Sequence, residues 1–326
     1  MGPNEPAPVS RDRPVGRNQS SNNQSSNPSS NPSMGSAQSA IRSVRFLTTE
    51  ADTESSTGPN TGPNTGPASG AQKPLFIFLP GMDGSGTLLR PQMDGLGAWF
   101  DIRCMAISPN NTSDWRSLSH DVGELIRHEV GEPHPNTVRN GPRNGRRRAV
   151  YLCGESFGGC LAMQVLTQQP ELFERLILVN PASSFRRLPW MQLGPLLTRQ
   201  LPNMAYRYSA KGIVPFLIES HRVAMPERQA LEEAMGTVPA KTAAWRMSLL
   251  SRFQVERLPL ERMMHPVLLI AGGCDRLLPS NREAKSLVAR FPNAQLTLLP
   301  NSGHACLLEK SVNLQKILQQ AQFLTP

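Results

Sequence analysis

The sequence predicts an α/β fold: a mostly parallel sheet with helices on both faces and a helical cap inserted between two of its strands. Three observations predict it. Apolar runs of strand length, starting with "LFIFL" (75–79), alternate with stretches of helical spacing down to the C-terminus. Those runs are continuously apolar rather than alternating, as strands covered on both faces are. Only residues 182–263 break the alternation, with several helical stretches and no convincing strand.

Each element has its own justification. Residues 1–41 are rich in Ser, Asn and Pro and hold almost nothing that could form a core, so they are expected to be disordered. "SVRFLTT" (43–49) is one short strand candidate, and "TGPNTGPNTGPASG" (57–70) reads as a linker, because Gly-Pro denies it regular structure. The low-complexity region thus spans 1–73, and a first half of the core spans 74–181. That half contains the strand candidates "LFIFL", "FDIRCMAI" (100–107), "AVYLC" (149–153) and "RLILVN" (175–180), with helices over 115–130 and 157–168. The cap, 182–263, offers "WMQLGPLLTRQL", "IVPFLIESHRV", "PERQALEEAM" and "KTAAWRMSLLSRF" as helices. The second half of the core, 264–326, holds "PVLLIAG" (266–272), a helix over 281–291, "QLTLL" (295–299) and a last helix near 311–323.

Composition narrows the function. Of a formal charge of +9, five arginines lie in one Gly/Pro/Asn-rich loop, "PHPNTVRNGPRNGRRR" (133–148). A local basic run of this kind is a solvated surface insertion. No aromatic interleaving or zinc-finger spacing accompanies it, which excludes nucleic acid as a partner and leaves room for a weak contact with an anionic membrane. The five cysteines, Cys104, Cys153, Cys160, Cys274 and Cys306, show no C-x-x-C pair and no metal spacing. They imply a reducing compartment and no disulfide framework. The N-terminus has no apolar signal-peptide core, and no run approaches a membrane span, so a cytoplasmic location is expected. A plastid is the alternative if the Ser-rich start is a transit peptide.

The chemistry gathers at "YLCGESFGGCLAM" (151–163). G-x-S-x-G alone is a weak signal, but here a strand candidate precedes Ser156 and a helix candidate follows. That strand–turn–helix context presents a serine oxygen at the sheet edge. The nucleophile then needs a base, and the base a carboxylate, in the chain order Ser, Asp or Glu, His. Beyond Asp121 the chain has one aspartate, Asp275, and after it one histidine, His304. Each follows a strand candidate, so both fall at the same sheet edge as Ser156. His221, in the cap, and His265, at the start of a strand, are the weaker candidates for the base. Oxyanion donors are expected from the backbone N–H of Phe157 and from the loop "PGMDGSG" (80–86), through Met82 N–H. That loop lacks G-x-x-x-x-G-K-[ST], so it is no nucleotide cradle, and no cofactor or metal is called for.

These residues resemble the α/β-hydrolase superfamily: Gly154-Glu155-Ser156-Phe157-Gly158, Asp275 with Pro279 after it, and Gly303-His304 with Glu309 after it. "LPGMDGSG", "FDIRC", "YLCGESFGGCLA" and "LILVNPASSF" resemble, more narrowly, the hydrolase-like half of the plastid phytyl ester synthase and diacylglycerol acyltransferase family and its shorter cyanobacterial relatives. The resemblance covers roughly residues 74–320 and implies a lipophilic acyl substrate. One departure matters: the plant members carry a further region with a His-x-x-x-x-Asp motif, and no histidine here has Asp five residues on. The expected activity is therefore a serine hydrolase cleaving a small-molecule carboxylic ester or thioester through an acyl-enzyme. Acyl transfer to phytol or diacylglycerol is the first alternative, and a non-catalytic binding protein of the same shape the second. Ser156 stands where a dehalogenase would need Asp.

Overall fold

The computed structural model describes Gly2 and residues 43–47, 73–131 and 148–324. The expectations for the N-terminal region, the Gly-Pro linker and nearly all of the Arg-rich loop concern residues outside this set. Seven strands form one sheet: β1 (Val44–Phe46), β2 (Leu75–Leu79), β3 (Asp101–Ile107), β4 (Val150–Glu155), β5 (Arg175–Val179), β6 (Val267–Gly272) and β7 (Ala294–Leu299). Their order is β1-β3-β2-β4-β5-β6-β7. Every pairing is parallel except that of β1 with β3.

Strand periodicity sorts the core into two layers. Leu75, Ile77 and Leu79 of β2 face one way with Leu152, Leu176 and Leu269. Helices α1 (Trp115–Glu129), α2 (Phe157–Gln168) and α7 (Ser280–Val288) cover that face. Phe76 and Phe78 face the other way with Tyr151, Cys153, Ile177 and Leu268, under α8 (Leu314–Gln320) and the turn Met93–Gly97. Because successive strand residues alternate faces, an all-apolar strand can fill both layers at once. The helix starts are read locally: the Asp114 side chain accepts from Ser117 N–H at 2.9 Å and Asn313 from Lys316 N–H at 2.8 Å, each capping a first turn.

Between β5 and β6 run the helices α3 (Gly194–Gln200), α4 (Asn203–Leu217), α5 (Met225–Thr237) and α6 (Ala240–Arg252), preceded by the single turn Pro189–Gln192. One expectation needs correcting here. "IVPFLIESHRV" is not a helix of its own: α4 begins ten residues earlier and ends at Leu217, and Ile218 is already extended. Pro215 lies in its last turn, where the ring removes only one backbone bond, so the proline marks the helix end rather than its start.

The chain reverses its order of strand addition at β2: β3 lies on one side and β4 on the other. Loops leaving the C-terminal ends of β2 and β4 diverge there and open a crevice. Backbones crowd at this point. A Cβ on Gly158 would stand 2.1 Å from the Leu79 carbonyl oxygen and 2.5 Å from that of Pro80. Gly158→Ala is therefore expected to lower the unfolding free energy by about 3 kcal/mol or more, since backbone cannot yield as a side chain can. Chemical denaturation measures it, and a loss of a few tenths would show that α2 shifts freely.

Candidate active site

Ser156 sits between β4 and α2 with φ 53° and ψ −112°, a strained region for a residue with a Cβ. Backbone hydrogen bonds fix it. Its N–H donates to the Val179 carbonyl at 3.0 Å, and its carbonyl accepts from Gly159 N–H and Ala182 N–H, each at 3.0 Å. Gly154 and Gly158 let strand and helix cross without side chains between them: a Cβ on Gly154 would stand 2.3 Å from the Gly158 oxygen.

The three residues singled out in the sequence come together. His304 Nε2 lies 2.9 Å from Ser156 Oγ, and His304 Nδ1 lies 2.7 Å from Asp275 Oδ2. Asp275 accepts further hydrogen bonds from Leu277 and Leu278 N–H, both at 2.9 Å, and from the Ser280 hydroxyl. A carboxylate so surrounded is aimed at one imidazole nitrogen. Burial raises its pKa, but the charge and hydrogen bond of His304, with those other donors, hold it below the ordinary aspartate value. For His304, burial favours the neutral ring, and Asp275 and then Glu155 outweigh it, so the imidazole is more basic than a free one. The other two histidines lie elsewhere. His221 is exposed, and His265 Nε2 sits 2.9 Å from the Pro170 carbonyl, ahead of β6 at the opposite sheet edge.

The loop after β2 passes over the serine: a Cβ on Gly81 would stand 3.8 Å from Ser156 Cβ. Gly84 N–H closes a turn on the Gly81 carbonyl at 3.0 Å, which leaves Met82 N–H at the corner, outside the turn's own bond. Phe157 N–H is the first amide of α2, and first-turn amides have no carbonyl partner within their helix. Asp83 takes a turn role, accepting from Ser85 N–H at 2.8 Å.

Two supporting residues, Asn180 and Arg246, escaped the sequence reading, and Glu309 entered it only as a motif position. Asn180, at the end of β5, has φ 41° and is fully buried. Its amide donates to the His304 carbonyl at 2.6 Å and the Gly303 carbonyl at 3.2 Å, and its oxygen accepts from Gly272 N–H at 2.8 Å. One side chain thus ties β5 and β6 to the histidine loop. Glu309 holds the same loop through Gly303 N–H at 2.8 Å and Ser302 Oγ at 3.0 Å, with Arg222 Nε at 2.6 Å as its counter-charge. Arg246, from α6, is 2% exposed and donates to the carbonyls of Met82 at 2.7 Å and Ser108 at 3.1 Å. A cap helix therefore grips the loop over the serine. The one available signal was an arginine inside the apolar pattern of "KTAAWRMSLL".

Above Ser156 lies a cavity of about 280 Å³. Met82, Leu88, Phe185, Leu278 and His304 contribute from the core, and Met191, Ile213, Leu217, Leu231, Met235 and Met247 from the helical insertion. The wall is apolar apart from Asp83, Glu155, Ser156, Thr198 and His304. Glu155 Oε1 is buried without a hydrogen-bond partner. Burial pushes its pKa up to about 7, opposed by His304 and reinforced by Asp83. Among the described residues no cluster of His, Cys, Asp or Glu could hold a metal ion, and no helix is long and apolar enough to cross a membrane.

The Hydrolase_4 family model, serine aminopeptidase S33, matches residues 109–311. This chain belongs to that family, within the α/β-hydrolase superfamily. It is 31% identical over 268 residues to phytyl ester synthase 1, chloroplastic, from Arabidopsis thaliana, covering 76% of this chain but 36% of that protein. The chain thus spans little more than a third of that relative's length. It is 30% identical to the putative carbamate hydrolase RutD of Stutzerimonas stutzeri, over 75% of this chain and 90% of the relative. A hydrolase from Oleispira antarctica superposes with a TM-score of 0.64 at 14% identity, covering 89% of this chain and 98% of that one. The chain is an α/β-hydrolase by family, and the seven-stranded sheet is that fold.

Arg246→Met is expected to cost about 2–4 kcal/mol, because two buried carbonyls lose their donor and Asp83 loses the nearby positive charge. Thermal and denaturant unfolding of the purified variant test this, and an unchanged midpoint would mean that water takes over both bonds.

Proposed function

We propose that the protein cleaves a carboxylic ester or thioester with a lipophilic acyl group, with Ser156, His304 and Asp275 as its catalytic triad. The observation that carries this reading is the hydrogen-bonded chain from Ser156 Oγ through His304 to Asp275 at the floor of an apolar cavity. In this reading Ser156 Oγ attacks the carbonyl carbon while His304 Nε2 takes its proton. Asp275 holds the Nδ1–H tautomer and stabilises the imidazolium. The oxyanion receives hydrogen bonds from Met82 N–H and Phe157 N–H. Collapse of the tetrahedral intermediate passes the proton from His304 to the departing alcohol or thiol and leaves an acyl-Ser156. Water, deprotonated by the same imidazole, then releases the acid.

Apolar lining supports a hydrocarbon acyl chain, since little else would satisfy such walls. The likeness to phytyl ester synthase supports a second reading, in which an alcohol such as phytol or diacylglycerol replaces water. The chloroplastic relative likewise favours a plastid over the cytoplasm, a choice that import of the full chain into isolated chloroplasts would decide.

A fluorophosphonate probe is expected to label Ser156 in the folded protein, and failure to label would favour the non-catalytic reading. A panel of esters, thioesters and carbamates of graded acyl length, with and without phytol or diacylglycerol, is expected to yield free acid from long-chain esters. Ester product in place of acid would favour the transferase. Ser156→Ala is expected to lower kcat/KM by about 10⁴-fold or more.

The pH profile offers an independent check. The Glu155 carboxylate favours the protonated form of His304. Removing that charge lowers the imidazole pKa, and a general base works only when unprotonated. Glu155→Gln is therefore expected to move the acidic limb of kcat/KM to lower pH. A limb that stays put or moves upward would remove Glu155 from the electrostatics of the base.

A further inference from the structure

Eight of the eleven large apolar side chains that are exposed among the described residues fall between Trp190 and Phe216. Helix α3 has no buried residue at all. Helix α4 buries Tyr206, Val214 and Leu217, and turns another face outward. On that outer face Met204, Arg207, Tyr208 and Lys211 follow one another at i, i+3, i+4 and i+7, so apolar and cationic side chains share one stripe. Met204 is 65% and Tyr208 71% exposed, and Leu197 on α3 is 63% exposed.

Charge singles out the partner. From Ala182 to Ile218 there are five cations, Arg186, Arg187, Arg199, Arg207 and Lys211, and no acidic residue. Arg187 is engaged by Glu256 and Glu283, while the other four are exposed and form no ion pair among the described residues. An outward face of leucine, methionine, tryptophan and tyrosine carrying only positive charge is complementary to anionic headgroups above acyl chains. The same segment reaches the cavity: Trp190, Gly194 and Thr198 line it beside Ile213 and Leu217 of α4, together with Ser156.

We propose that the outer face of α3 and α4 docks on an anionic lipid bilayer and presents the Ser156 cavity to it. The inference rests on the lipophilic-ester reading for its purpose, since such a substrate resides in the bilayer, but the docking itself is a property of the surface. It also differs from a contact through the Arg-rich loop. That loop ends at Arg148, which bonds the Lys73 carbonyl and Asp101 at the starts of β2 and β3, the sheet edge opposite Ser156.

The test uses the full chain and vesicles of zwitterionic phospholipid, alone or with about one third anionic phospholipid. Co-sedimentation is expected with the mixed vesicles, weakening with salt. The triple substitution Leu197→Ser, Met204→Ser, Tyr208→Ser is expected to weaken binding about tenfold or more. Replacing Arg199, Arg207 and Lys211 by Ser is expected to remove the preference for anionic lipid. Substituting Arg139, Arg143, Arg146 and Arg147 is expected to leave most of the binding intact. Circular dichroism and turnover of a short soluble ester report whether each variant is folded. Binding that survives the cap substitutions but vanishes with the loop arginines overturns the proposal. A concentration-dependent dimer in sedimentation velocity, abolished by the same triple substitution, assigns the face to a second copy and overturns it too. Vesicle binding without hydrolysis of any ester leaves the docking standing and sinks the proposed function, whereas hydrolysis without binding does the reverse.

Discussion

The constraint on which the rest of this structure depends is the turn that holds Ser156 at positive φ. A residue with a Cβ reaches that conformation only where its surroundings over-determine it. Here its backbone hydrogen bonds and the approach of Gly158 to the end of β2 do so. The same approach brings α2 against β2, so the loop leaving β2 must cross above the serine. Strand order adds the other half: with β3 and β4 on opposite sides of β2, the loops after β2 and β4 part and leave a crevice between them. Serine, loop and crevice are thus consequences of one close packing of backbones rather than three separate features.

Much of this was legible because it rests on local patterns. Continuous apolar strands and the strand–Gly-Glu-Ser-Phe-Gly–helix sequence each lie within a short window, and the single Asp after Asp121 and the single His after Asp275 are read by counting. The strand candidate 75–79 and the helix candidate 157–168 agree with β2 and α2 residue for residue. What escaped depends on contacts between distant segments. Asn180 looks like any residue that ends a strand, and its bonds to Gly272 and to the His304 loop exist only once β5 and β6 are neighbours. Arg246 reaches 164 residues back to Met82. Helix α4 was misread for another reason: "NMAYRYSAKG" has mixed exposed and buried positions without a clean apolar stripe, because its outer face also carries apolar residues.

Electrostatics in the site are governed by burial. Two carboxylates, Asp83 and Glu155, and one imidazole line a cavity with little polar wall, and Asp275 lies behind the imidazole. Asp275 stays ionised because His304, Ser280 and two backbone amides face it. Glu155, with one oxygen unpartnered and burial against it, has its pKa pushed up to about 7 instead. Two carboxyl groups that both interact with His304 thus shift in opposite directions, set by their donors rather than by their residue type. Arg246 supplies the compensating positive charge, but spends its hydrogen bonds on backbone carbonyls, so its main effect is to fix the loop that carries Met82.

That arrangement makes the helical insertion part of the active-site architecture rather than a cover added to it. Its inner side lines the cavity through Met191, Ile213, Leu217 and Met247. Its helix α6 anchors the loop over Ser156 through Arg246, and Trp245 Nε1 donates to the Ser113 carbonyl at 3.1 Å on the neighbouring loop. By contrast, α3 gives no side chain to the core. It packs on α6 with half-buried residues only, so it gains little stability from tertiary packing, and seven residues are too few to be helical alone in water. An exposed apolar patch of this kind marks an interaction surface. The two halves of the insertion therefore differ in what they do: α6 holds the loop over the serine, while α3 and the outer face of α4 form the exposed apolar and cationic surface on which the proposed docking rests.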